Sequence, residues 1–173
     1  MKKMSKNICD EKVFSSIYSE YSNDLHNYLY YKYGVYNDPN DTVQEAFTTL
    51  WQKCKEVGYS GARGFVFTVA KNIMLNKIKH DKVVLKYLEI PRKEYSQETP
   101  EFLLEQEQFY QKYQRALSKL TEEQRAVFLL NKVEGKKHQE IADMLNITKK
   151  VVEYRIYSAF KIIKDEIKEI KKL

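Results

Sequence analysis

Residues 137–163 read KHQEIADMLNITKKVVEYRIYSAFKII. Ile141, Ala142 and Leu145 recur at the spacing of one face of a short helix, Lys137 to Leu145. Asn146 tolerates the left-handed backbone that ends a helix. Ile147 plugs the turn, and Thr148 is placed to cap a longer helix from Lys149 onward. Val152, Ile156, Ala159 and Ile163 then form that helix's inner face. Two helices joined by a short turn, with a small residue at Ala142, make a helix-turn-helix. The second helix of such a unit enters the DNA major groove. Its exposed start carries Thr148, Lys149, Lys150, Glu153, Tyr154, Arg155, Tyr157 and Ser158 as candidate contacts. An arginine bridges the two acceptors of guanine, and a glutamate accepts from cytosine. Lys149 and Lys150 suit phosphates, aided by the helix N-terminus. The plain alternative is a helical hairpin with a solvated charged face.

Outward from this segment the helical pattern continues. Five glycines and three prolines in 173 residues mark few turns, which favours long helices, and no alternating pattern competes. The expected fold is all-α, in two small domains. Phe14, Ile17, Tyr18, Tyr21, Leu25, Tyr28 and Leu29 predict one or two helices over Glu11–Tyr33. Asp38-Pro39 is a cap-and-proline start for a helix to about Glu56, with Val43, Phe47, Leu50, Trp51 and Cys54 as its apolar stripe. Asp41, Gln44, Glu45 and Thr48 lie on its other face. A fourth helix is expected from Ala62 to His80, buried along Phe65, Val66, Val69, Ile73 and Ile78. Residues 87–99 read as a flexible linker, so that the domains, residues 8–86 and 100–173, need not touch. Thr99-Pro100 opens the second domain, and Thr121 with Gln124 predicts a capping box. Most of the fourteen tyrosines fall at helical core spacing and are assigned to packing.

Thirty Lys and Arg against twenty-four Asp and Glu give a charge of +6, a modest surplus that raises the expectation of a polyanionic partner. Two cysteines far apart in sequence make no disulfide framework, and Cys54, on an apolar stripe, reads as a buried free thiol. No apolar run approaches a membrane span, and Met1–Asp10 is basic without a signal peptide's apolar core, so a cytoplasmic protein is expected. His26, His80 and His138 are scattered without ligand-spaced partners, and there is no glycine-rich phosphate loop. No catalytic residue, metal or cofactor is expected.

The family resemblance rests on longer runs. LTEEQRAVFLL at 120–130, Glu134-Gly135 and EIADML at 140–145 resemble region 4 of bacterial sigma factors. DTVQEAF at 41–47, Leu50-Trp51 and FVFTVAKN at 65–72 resemble their region 2. The order and the short linker resemble the extracytoplasmic-function group, in which the additional domains of larger sigma factors have no room, and Val151-Val-Glu-Tyr is similar to a variety common among Bacteroidetes. The resemblance implies a factor that binds RNA polymerase core and directs promoter-specific initiation, with an anti-sigma factor as a further partner. It implies that Asp41, Gln44, Glu45 and Thr48 dock on the clamp coiled coil of the largest polymerase subunit. It places Asn72 and Asn76 against the melted minus-ten strand, on a basic surface of Lys71, Lys77, Lys79, His80 and Lys82. The helix-turn-helix is then assigned to the minus-thirty-five duplex, and the second domain to the polymerase flap. The chain departs from the pattern at Phe65, which replaces a tryptophan, at Lys150-Val151, which replace a frequent Gly-Thr, and at Glu153, where a basic residue is common.

Two other classes compete. A stand-alone helix-turn-helix regulator would use the same second domain, usually as a dimer on a palindrome, but has no need of the Asp41–Trp51 and Phe65–Asn76 patterns. A protein-binding helical adaptor would show no salt-sensitive affinity for nucleic acid.

Overall fold

The computed structural model describes residues 7–34, 38–78 and 100–167. Seven α-helices follow one another among them: α1 (Glu11–Tyr33), α2 (Pro39–Gln52), α3 (Ala62–Ile78), α4 (Pro100–Ser118), α5 (Glu122–Lys132), α6 (His138–Leu145) and α7 (Lys149–Glu166). A short 3-10 turn (Tyr59–Gly61) precedes α3, and no strand occurs among the described residues. The expected linker, 87–99, and Lys79, His80 and Lys82 lie outside the described residues.

Local chemistry sets the helix starts. The Asp10 carboxylate accepts from the backbone N–H groups of Lys12 and Val13 and caps α1. Asp38 caps α2 through Asn40 N–H at 2.9 Å, with Pro39 at the first helical position. Thr121 and Gln124 exchange both bonds of the capping box at α5. Asn146 ends α6 in the left-handed conformation, φ 52°, and Thr148 caps α7 through Val151 N–H.

The first half packs α2 on α3 and on α1, and the second packs α5, α6 and α4 against α7. Val152, Ile156, Ala159 and Ile163 are all buried, as their spacing predicts; in α6 it is Met144, with Ile141 and Ala142, that is fully buried, while Leu145 is half-covered. In α3 the fully buried line is Val66, Phe67, Ala70 and Met74, so Phe65, Val69, Ile73 and Ile78 flank the core rather than form it.

Three expectations are overturned. Helix α2 stops at Gln52, not near Glu56, and Cys54 is not a buried free thiol: it lies in the turn beyond the helix and forms a disulfide with Cys9 across 45 residues. The partner cysteine precedes α1, and α1 lies against α2, so sequence distance says nothing about their meeting. Trp51 is 43% exposed rather than part of the core stripe. The arrangement of the two halves, which the sequence left open, is one of contact. Helix α1 lies against α5, and α3 against α6. One continuous apolar cluster runs from Ile8 through Met74 into Ala126, Val127, Leu130, Ile141 and Val152. A second, built on Leu117, Phe128, Leu129, Ile163 and Ile167, belongs to the second half apart from a flanking Tyr31. Helix α5 lies between the two, which is why its residues 125–130 are buried all the way round.

Candidate nucleic-acid interface

Three surfaces carry the predicted site residues. On α2, Asp41, Gln44, Glu45 and Thr48 form one exposed strip, because their three- and four-residue spacing keeps them opposite the buried Val43, Phe47 and Leu50. The Thr48 hydroxyl donates to Gln44 carbonyl oxygen at 2.8 Å, which leaves its methyl group outward. Trp51 extends the strip by one turn, its ring edge-on to Phe14 at a centroid distance of 4.9 Å.

On α3, Lys71, Asn72 and Asn76 are exposed. Lys77 is placed differently. Its ammonium donates to Thr42 Oγ1 at 3.3 Å and lies 4.0 Å from the Glu45 carboxylate, so it leans back onto α2 and joins the two surfaces.

On α7, Lys149, Lys150 and Glu153 are exposed, and Tyr154 and Tyr157 are 70% and 71% exposed. Glu153 sits between Lys149 Nζ at 3.4 Å and His138 Nδ1 at 3.7 Å, so its charge is met by a lysine of its own helix, with the imidazole at the start of α6 alongside. That restraint holds the carboxylate in place on the face. Thr148 is committed to the helix cap. Ser158 and Arg155 are half-buried. Arg155 borders the buried line of Val152, Ile156 and Ala159, and its charge is felt by Tyr28 and Glu123 where the halves meet. It is less exposed than Tyr154 and Tyr157 on the same helix.

Beside its apolar cluster the seam carries a set of polar contacts, and no reading of the sequence singled them out. The Arg125 side chain, 1% exposed, donates from Nε to Tyr31 carbonyl oxygen at 3.0 Å and from Nη2 to Lys32 carbonyl oxygen at 2.8 Å. Its Nη1 reaches Leu120 carbonyl oxygen at 3.3 Å. A side chain of one half thus satisfies the last carbonyls of a helix in the other, where the helix dipole favours a cation. Lys32, also buried, pairs with Glu123 at 3.0 Å and lies over the rings of Tyr28 and Tyr33. Burial disfavours its charge, but the tyrosines and Glu123 outweigh that and raise its pKa. Burial likewise works against the Glu123 carboxylate, and the Lys32 hydrogen bond and charge outweigh it, holding Glu123 below the usual range. The Tyr31 hydroxyl donates to Glu134; burial first, then this bond, raises its pKa. Lys136 pairs with Asp24 at 2.7 Å. One signal for the seam was present: Lys32 follows Tyr28 and Leu29, and Arg125 precedes Phe128 and Leu129, each at core spacing where an apolar residue is the rule.

Residues 17–83 match the family model "Sigma-70 region 2", and residues 110–163 match "Sigma-70, region 4". No curated protein matches the chain. Among solved structures it is similar to CnrH, determined in complex with the cytosolic domain of CnrY. The TM-score is 0.56 at 19% identity, over 90% of this chain and 88% of that one, a likeness of fold.

Proposed function

The chain belongs to the sigma-70 family, with regions 2 and 4 in that order, and from this we propose how its surfaces divide the work of a sigma factor that brings RNA polymerase core to a promoter. The first domain, residues 8–86, docks on the polymerase through Asp41, Gln44, Glu45 and Thr48 and reads the melted minus-ten strand through Asn72 and Asn76, with Lys71, Lys77 and Lys79 on the backbone. Amide groups read unstacked bases while cations hold phosphates. The second domain, residues 100–173, reads the minus-thirty-five duplex through α7, with Lys149 and Lys150 on phosphates and Glu153, Tyr154 and Tyr157 toward base edges. Thr148 supports this face as a cap. Arg155 and Ser158 join it only from its margin. The protein then works in the cytoplasm, as the extracytoplasmic-function layout implies, and has no catalytic role of its own.

The observation that carries this reading is the pairing of an exposed α7 face in region 4 with an exposed α2–α3 surface in region 2. A stand-alone regulator needs only the first. The closed arrangement adds a requirement. The two promoter elements lie about 25 base pairs apart, roughly 85 Å along B-form DNA, whereas α3 and α6 are in contact. The halves must separate to reach both. Residues 79–99 span at most about 70 Å, which with the width of the domains is sufficient. An anti-sigma factor is the natural partner for holding the halves closed.

Mixing the protein with sigma-free core and a library of promoter fragments, then sequencing the run-off transcripts, tests the reading. Initiation that depends on the protein is expected, with two sequence elements recovered. A competent core that stays silent with the folded, inhibitor-free protein overturns it in favour of the stand-alone regulator. Within that assay, Asn72→Ala is expected to spare duplex binding by the second domain and impair promoter melting in a permanganate footprint.

A further inference from the structure

The Cys9–Cys54 bond plays no part in promoter recognition as described above, yet it sits at one end of the docking surface. Its Cα atoms are 5.1 Å apart. Cys9 lies in the turn before Asp10, the cap of α1, and is preceded by Ile8, which is fully buried. Cys54 lies two residues beyond α2, and its N–H donates to Trp51 carbonyl oxygen at 3.2 Å. The bond therefore ties the start of α1 to the end of α2. Those are the elements that hold Trp51: it belongs to α2, and the Phe14 ring it packs on belongs to the first turn of α1.

Both cysteines are half-buried, within reach of a small molecule, and Lys53 and Lys55 flank Cys54. Partly exposed, electropositive surroundings are those of reactive cysteines. Among the described residues no group of three His, Cys, Asp or Glu side chains converges to hold a metal, so a structural ion does not explain the pair. A protein that works on polymerase works where thiols are kept reduced, and disulfides formed there are characteristically transient and redox-sensing.

We propose that Cys9 and Cys54 form a reversible oxidation site whose oxidant is a peroxide, and that the disulfide state strengthens docking on the polymerase by fixing Trp51 at the end of the α2 strip. One thiolate attacks the peroxide; the O–O bond breaks, sulfur is oxidised to the sulfenic acid, and one oxygen leaves as water after taking a proton. The second thiol attacks that sulfur, the S–O bond breaks, and a second water leaves as the disulfide forms. A dithiol reverses the step by exchange, giving back two thiols and becoming a disulfide itself. Tryptophan is among the residue types enriched at interface anchors. The chemistry stands on the cysteine pair alone, while its consequence rests on the docking role proposed for α2.

The test uses the full-length chain in two steps. Thiols are counted by a maleimide mass tag after hydrogen peroxide and again after dithiothreitol, and the affinity of each form for sigma-free core is then measured. Two thiols are expected to disappear and return, and the oxidised form is expected to bind core about fivefold more tightly, a part of the roughly thirtyfold that a whole interface anchor contributes. Trp51→Ala is expected to remove that difference. The double variant C9S/C54S is expected to bind like the reduced protein whatever the oxidant; if it does not fold, reduced wild-type protein serves as the comparison. A pair that peroxide cannot join, or that a dithiol cannot open in the folded chain, overturns the site. Equal core affinity of the two forms overturns its effect on docking. If neither form binds core, the docking reading of α2 fails while the thiol count still judges the oxidation site.

Discussion

The two faces of α5 are held in different ways. Toward α4 and α7 it presents Phe128 and Leu129 to Leu117, Leu120 and Ile163, an apolar cluster. Toward α1 it presents Arg125 and Glu123 to two backbone carbonyls and a buried lysine, beside Ala126, Val127 and Leu130, which belong to the apolar cluster that the two halves share. Apolar surface exposed by pulling the first contact apart has no replacement for what it loses, at about 25 cal/mol per Å². The charged groups of the second regain water when they part, and desolvation has already offset much of their attraction. The apolar face keeps a domain folded. The mixed face defines how two domains meet: its polar groups set the register, and its share of the apolar cluster adds to the cost of parting them.

Substitutions sharpen that contrast. Ile163→Ala, on the apolar side, is expected to destabilise the second half by about 2–5 kcal/mol in chemical denaturation, with the seam intact in the folded fraction. Arg125→Ala is expected to weaken closure by about 1–3 kcal/mol, because it strips donors from buried carbonyls. Dyes placed on α2 and α7 would report the change as a fall in energy transfer, with helical content preserved. If Arg125→Ala instead unfolds the chain, the two faces do not differ in kind.

Acid offers a gentler opening. Glu123 is held below its ordinary pKa when the seam is closed. Its contribution is thus present above the unfolded value near 4.5 and lost as pH falls through the lowered one. Energy transfer is expected to drop over that acid range in the wild type and to lose that step in Glu123→Gln. The loss amounts to no more than about 1 kcal/mol, since the carboxylate is partly solvated. Lys136→Ala removes the half-buried pair with Asp24 and is expected to cost about 0.5 kcal/mol, within the range of salt bridges near the surface; measuring it at low and high salt checks that it is electrostatic.

What the sequence disclosed and what it withheld follow the range of the interactions. Asp10, Asp38, Thr121 and Thr148 act on backbone groups two or three residues away, and the helix starts could be read from them. The α7 stripe was legible because it obeys one helical period. Trp51 shares its period with Leu50 and Phe47, and only the course of α1 decides that it remains open to solvent. Arg125 meets Tyr31 across 94 residues and Cys9 meets Cys54 across 45, distances at which a single sequence carries no register. On the candidate site, the strip on α2 and the outer face of α7 were placed correctly as exposed surfaces. Arg155 is half-buried beside Val152 and Ile156, and Lys77 pairs across to Thr42 and Glu45 on α2, placements that the helical period alone does not give.

The bond from Arg125 to the end of α1 also has a meaning in time. It joins two helices that exist complete in either half, so nothing need melt or re-form when it breaks. Rigid-body motions of packed domains take microseconds to milliseconds, far faster than the slow steps of gene expression. A closure that exchanged on that timescale would be an equilibrium and not a lock that waits to be picked. It sets a fraction of molecules open at every moment. To hold that fraction from half down to one per cent, a partner must prefer the closed form by about 2.7 kcal/mol, and silence then lasts only as long as the partner stays bound.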